Sequence, residues 1–141
     1  MMQLDFWNKF KSYSEDQKTK LKMRKAQPQH WYDISYGSST SHISLTINTQ
    51  TNQLGCEIYI PNSKTVFEYL KSQKENIEKE IGVTLEWMDL PEKKASRIKI
   101  SSNGDIEIED KWNEYFAWMK STAELFQKVF VKYKGKEFST I

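Results

Sequence analysis

Cysteine occurs once in this chain, as Cys56, so no disulfide can close within it and no cysteine-based zinc cage can assemble. A lone thiol becomes a nucleophile beside cationic groups or at a helix N-terminus. Cys56 falls instead in the apolar set of a strand pattern, which predicts a buried, inert thiol. Arginine is nearly as scarce: of 21 basic residues only Arg24 and Arg97 are arginine. Lysine suits solubility and loose attraction to phosphate better than bidentate readout of bases or carboxylates. No stretch approaches the roughly 18 apolar residues of a spanning helix, so no membrane contact is expected. The opening Met1-Met2-Gln3-Leu4-Asp5 carries no basic stretch followed by an apolar core, and a cytoplasmic chain without a secretory signal is expected. A glycine-rich phosphate loop, a GxSxG elbow and a metal-type histidine pair are also missing, so no cofactor and no metal ion are expected.

What is present suits one domain, residues 1–141, long enough to bury a real core. The hydrophobic fraction is a low 38%, but five tryptophans within an aromatic fraction of 13% supply large buried areas per residue. The net charge of +2 sets no strong preference for a partner.

The richest stretch runs from His30 to Pro61, where three alternating segments follow one another across short polar breaks. Strand side chains alternate between faces. Tyr32, Ile34 and Tyr36 therefore share a face with Ile43, Leu45 and Ile47, and with Leu54, Cys56, Ile58 and Ile60. Trp31, Asp33, Ser35, His42, Ser44, Thr46, Glu57 and Tyr59 take the other. A one-residue slip would turn a whole apolar set to water. Pairing Ile34 with Leu45, and Leu45 with Cys56, keeps the sets together. That register predicts a row of Ser35, Ser44 and Glu57, flanked by Gly37, His42 and Tyr59 on one side and Asp33, Thr46 and Gly55 on the other.

Around this meander the patterns are helical. Asp5 can cap a first helix through Phe6, Phe10 and Tyr13, continuing toward Lys25 unless Ser12–Ser14 breaks it. Thr65 to Glu68 reads as a capping box for a helix from Lys64 to Ile81, stopped by Gly82. Val83–Leu90 and Ser96–Ser101 return to an extended pattern. Asn103-Gly104 signals a hairpin that would bring Asp105–Ile108 back as a further strand. Asp110 can cap a last helix with Trp112, Phe116, Met119, Ala123, Phe126 and Phe130 in one stripe, and the tail from Tyr133 is expected to fray. The expected class is α+β: a mostly antiparallel sheet of five to six strands with helices chiefly on one face.

The polar row is the best candidate site. Ser35, Ser44 and Glu57, with Asp33, His42 and Tyr59 near them, place a carboxylate, an imidazole and hydroxyls on a rigid sheet, a set able to bind a polar ligand or move protons. The competing reading is a sheet wetted on one face, where such residues are ordinary. Arg97 is expected to pair with Glu86 or Glu57. Lys18, Lys20, Lys22, Arg24 and Lys25 concentrate positive charge that either neutralises nucleic-acid phosphates or decorates a solvated helix end. Of the tryptophans only Trp31 lies on the polar face, where an exposed ring could stack a base. A metal nuclease needs an acid-x-lysine triplet on a strand. The triplets at Asp16, Glu92 and Glu109 fall in a helix, a loop and a helix cap.

Several motifs recur in a familiar order: Phe6-Trp7 with Phe10; His30-Trp31-Tyr32-Asp33-Ile34-Ser35 with Gly37; Glu57-Ile58-Tyr59-Ile60; Ile77-Glu78; Leu85-Glu86-Trp87; Ala95-Ser96-Arg97-Ile98; and Trp112. Together they resemble a bacterial family, domain of unknown function 4268, along nearly the whole chain. Members often follow a region that looks like a restriction-endonuclease-type nuclease. The resemblance therefore implies an accessory module with a DNA-related association, and no active site to carry over. The polar residues inside the matching motifs are Ser35, Glu57, Tyr59, Glu86 and Arg97. The leading expectation is a non-catalytic binding module for nucleic acid or a nuclease-type protein. The alternatives are a protein-interaction or self-association domain, and an enzyme using Glu57 and His42.

Overall fold

A computed structural model describes residues 2–136. The chain runs α1 (Met2–Asp16), β1 (Trp31–Ile34), β2 (His42–Asn48), β3 (Gln53–Ile60), α2 (Lys64–Ser72), α3 (Lys74–Ile81), β4 (Glu86–Met88), β5 (Ser96–Asn103), a 3-10 turn (Glu109–Lys111) and α4 (Trp112–Phe130). The strands form one antiparallel sheet in the order β1-β2-β3-β5-β4. The class is α+β, with the helices' apolar stripes joining the apolar face of the sheet in one core.

That core is built largely from rings. Phe6 of α1 lies edge-on to Trp112 and tilted to Phe116 of α4, with centroids 5.1 and 5.0 Å away. Trp7 and Phe10 meet Tyr32 of β1 at 5.4 and 5.6 Å. Each buried polar tip finds a partner, as burial of an indole or phenol requires. The Trp7 indole donates to the Gln29 carbonyl and the Trp112 indole to the Ile106 carbonyl, both at 2.7 Å. Tyr32 Oη accepts from the Arg24 amide and donates to the Arg24 carbonyl. Cys56 is fully buried in the same core, and burial, with Glu57 adjacent, pushes its thiol pKa well up.

The register between β2 and β3 pairs Leu45 with Cys56 as the alternation predicts. The register between β1 and β2 differs: Ile34 faces Ile43, and Tyr32 faces Leu45. A two-residue slide preserves both faces, so alternation cannot detect it. The connection decides it. Tyr36 Oη and Ser41 Oγ close the turn at 2.5 Å, while the Ile47 amide donates to the His30 carbonyl at the other end.

Other local expectations shift for identifiable reasons. The first helix stops at Asp16, and Lys18 takes a left-handed φ of 57°. Lys18–Lys25 is therefore an irregular segment rather than a helix end. Ser63, not Thr65, caps α2, its hydroxyl accepting from the Val66 amide. The span from Lys64 to Ile81 divides at Gln73, next to Ser72, whose hydroxyl bonds back to the Tyr69 carbonyl and competes with the helix ladder. The sixth strand does not form. Asp105 Oδ1 accepts from the Glu107 amide, and the Asp105 amide donates to Tyr115 Oη, curling the segment into the 3-10 turn ahead of α4. The last helix thus starts at Trp112, without a side-chain cap from Asp110. The expected fraying of the tail concerns, in part, residues 137–141, outside the described residues.

Lys64 ties α2 to the β4–β5 connection. Its three N–H groups are shared among the carbonyls of Asp89, Leu90 and Ala95 and Ser96 Oγ, all within hydrogen-bond reach, and Nζ pairs with the Asp89 carboxylate at 3.1 Å. Lys64→Met keeps the apolar stem and strands these acceptors. It should lower stability by about 1–3 kcal/mol, read as a reduced urea midpoint with an unchanged slope.

Candidate functional site

The sheet face opposite the helices carries the polar set. The true register places Asp33, Ser44, Glu57, Lys99 and Glu86 in one row across five strands. The next row is His42, Tyr59, Arg97 and Met88. Asp33 thus takes the place expected for Ser35. Ser35 lies beyond the end of β1, exposed, its hydroxyl accepting from the Gly37 amide. Glu86 sits on the far edge strand opposite Lys99, outside the lining of the hollow described below.

Glu57 anchors the face. In a middle strand and only 2% exposed, its carboxylate needs a cation and receives one. Arg97 Nη1 donates to Glu57 Oε2 at 2.6 Å, so Arg97 pairs with Glu57 rather than Glu86. The Arg97 guanidinium also lies over the Tyr59 ring, 4.6 Å from its centroid, a cation–π contact. Tyr59 in turn meets the His42 ring edge-on at 5.4 Å. His42 Nε2 stands 3.4 Å from Asp33 Oδ1, and Arg24 Nη1 lies 3.8 Å from Asp33 Oδ2. Burial raises the Asp33 pKa, but hydrogen bonds from His42 and Ser44 and the charges of His42 and Arg24 outweigh it. The carboxyl is held below its ordinary range.

These contacts enclose a hollow of about 330 Å³ on the open face, with Asp33, His42, Ser44, Tyr59 and Arg97 in its lining. His30, Trp31 and Thr46 complete it. His30 and Thr46 are absent from the sequence-derived candidates. Thr46 was legible as a polar-face residue, whereas His30 precedes the strand and gave no signal. The Trp31 ring, 37% exposed, packs edge-on against His30 with centroids 4.7 Å apart. Gly55 keeps the floor clear, since a Cβ there would lie 2.3 Å from Thr46 Oγ1.

A second hollow, of about 720 Å³, lies where the lysine segment meets the end of α4. Lys18, Lys20 and Lys22 line it from one side, Lys128 and Lys134 from the other, with Ser35 and Gly37 between. The segment alternates: Lys18, Lys20, Lys22 and Arg24 face water while Thr19, Leu21 and Met23 turn inward. Among the described residues Glu124 is the acidic member of this lining, and it is already engaged by Thr19 Oγ1 at 2.8 Å and Lys120 Nζ at 3.1 Å. Among the described residues none of these five lysines has an ion-pair partner. Lys25 is exposed but outside the hollow. Sequence reading missed Lys128 and Lys134, which lie far along the chain.

Among the described residues, no group of three or more His, Cys, Asp or Glu side chains converges as a metal cage would. None of the acid-x-lysine triplets lies on a strand. No helix of the described residues is long and apolar enough to cross a membrane.

A five-stranded antiparallel sheet covered by helices, with an aromatic-lined polar hollow and a lysine groove at its edge, defines the class as an α+β module with an open sheet face. The chain belongs to the domain of unknown function family DUF4268, whose pattern matches residues 2–134. Among solved structures it is similar to YbjN, described as "a putative transcription regulator from E. coli", with a TM-score of 0.50 at 7% identity over 89% of this chain and 88% of that one. That likeness shows a shared fold. No curated protein matches the sequence.

Two outcomes test this geometry. Arg97→Met leaves Glu57 buried without its cation and should cost about 3 kcal/mol, whereas the double change Glu57→Leu with Arg97→Met should recover much of it. Urea unfolding of the three variants reads the difference. Asp33 has a folded-state pKa below its unfolded one, so its contribution is present above the unfolded value, near 4, and is lost as pH falls through the lowered value. Asp33→Asn should be less stable than the parent at pH 7, and the gap should close as pH falls below the ordinary carboxylate range. A gap constant with pH would contradict this assignment.

Proposed function

We propose that the protein is a non-catalytic module that binds nucleic acid through its phosphates. The observation that carries this reading is the groove in which Lys18, Lys20 and Lys22 meet Lys128 and Lys134, with Glu124 already engaged by Thr19 and Lys120. A solvated decoration would spread its lysines. Here two segments more than a hundred residues apart in sequence direct theirs into one concave surface. Lysine ammoniums act there as point charges that displace condensed counterions, a contact indifferent to base sequence. The accessory role beside a restriction-endonuclease-type nuclease belongs to this proposal, with the groove as the part that would engage the same nucleic acid. Acid–base chemistry at Glu57 and His42 is less well supported, because Glu57 Oε2 is occupied by Arg97 and the side chain is 3% exposed.

Anisotropy of labelled oligonucleotides between about 50 and 200 mM salt tests the reading. Binding should weaken steeply with salt. Lys18→Gln, Lys20→Gln and Lys22→Gln together should reduce the slope of log K against log salt by about 2–3, near one per phosphate contact. Lys128→Gln with Lys134→Gln should reduce it again. Absence of binding at 50 mM salt would overturn the proposal.

A further inference from the structure

The lysine groove and the sheet-face hollow are linked by a neighbour of both. A third hollow of about 440 Å³ lies between them around edge strand β1. It shares Lys22 and Ser35 with the groove, and Asp33 and His42 with the sheet-face hollow. Three adjacent hollows therefore lie in succession from five lysines, past Arg24, to the open face. Their character changes along the way. The lysine end presents positive charge. The sheet end presents rings (Trp31, His30, Tyr59, His42) with an Arg97 guanidinium plane and the hydroxyls of Ser44 and Thr46. From Ser35 to Trp31 the distance is short, about 13 Å at the rise of an extended strand.

Duplex nucleic acid hides its bases in the stack and would use only the charged end. A single strand exposes both a charged backbone and unpaired π-faces, and sites for such strands combine a basic track with aromatic platforms. Unstacked bases lie on aromatic rings or arginine planes, while polar groups meet their edges. The sheet-face hollow, at about 330 Å³, is at the lower end of the range for small-molecule pockets. That is suitable for one planar heterocycle. Trp31 is the accessible platform: it is 37% exposed on an edge strand. The other four tryptophans are placed in the core or packed against it.

Resting on the phosphate-binding reading above, we infer that the partner is a single strand of DNA or RNA, with its backbone along the lysine groove and one unpaired base seated in the sheet-face hollow against Trp31. Asp33, already held by His42 and Arg24, rims the seat as an acceptor for a base amino group. The hydroxyls of Ser44 and Thr46 offer either polarity.

The test uses the full chain, a single-stranded DNA oligomer carrying 2-aminopurine, its RNA counterpart, and the DNA duplex. Single strands should bind more tightly than the duplex, and 2-aminopurine fluorescence should be quenched on binding. Trp31→Ala should weaken single-strand binding about tenfold, abolish the quenching and leave duplex binding unchanged; Trp31→Phe should restore most of both. Thermal unfolding of Trp31→Ala confirms that the sheet is intact. Should that variant fold poorly, quenching that persists in the Trp31→Phe protein but is blocked by free nucleoside supports the same seat. Strand binding lost with the lysine changes but indifferent to Trp31 and without quenching would overturn the base seat while leaving the phosphate groove in place. Absence of binding to every probe at 50 mM salt would overturn both.

Discussion

The polar face depends on one ion pair. A glutamate in a middle strand, nearly without exposure, is tolerated only if a cation reaches it, because an uncompensated carboxylate in that setting is heavily penalised. Arg97 arrives from β5 and settles on Glu57. In doing so it fixes its own guanidinium over Tyr59, which fixes the neighbour of His42, which faces Asp33. The hollow is the space this chain of contacts leaves open. Its polar groups are pre-positioned by strands, which are stiffer supports than loops.

The other face explains why the hollow stays open. All the large apolar stripes go to one side, where rings from α1 and α4 close over Tyr32 and the aliphatic set of the sheet. Among the described residues, the helices' apolar stripes are spent there rather than on the polar face. The same arrangement pulls the segment after α1 tightly along β1, since Tyr32 Oη holds the Arg24 backbone and Trp7 holds Gln29. The lysines of that segment are therefore carried to the sheet edge. The lysine surface is thereby brought to the same sheet edge, strand β1, that borders the sheet-face hollow.

Particular residues show where sequence reasoning succeeds and where it stops. Glu57 stood out because a charge is unexpected in that strand, and the structure places it at the centre of the face. Asp33, not Ser35, stands opposite Ser44, and alternation cannot tell the two apart because a two-residue slide leaves every side chain on its own face. The charge run in Lys18–Lys25 suits a helix end, but its lysines alternate with Thr19, Leu21 and Met23, a period-two signal for an extended segment lying on the core. The Asn103-Gly104 pair signalled a hairpin, but Asp105 and Tyr115 capture the chain and turn it into α4. Local turn chemistry yields where a neighbouring helix offers better partners.

By itself the sequence determined the α+β class, the order of elements, the two faces of the meander and the β2–β3 register, because alternation and helical stripes are properties of neighbours along the chain. The tertiary structure alone decided that Arg97 belongs to Glu57, that Asp33 and not Ser35 joins Ser44, and that Lys128 and Lys134 meet Lys18, Lys20 and Lys22. Those are distances between groups far apart in the chain. They follow from how the core packs, which periodicity along the chain does not encode.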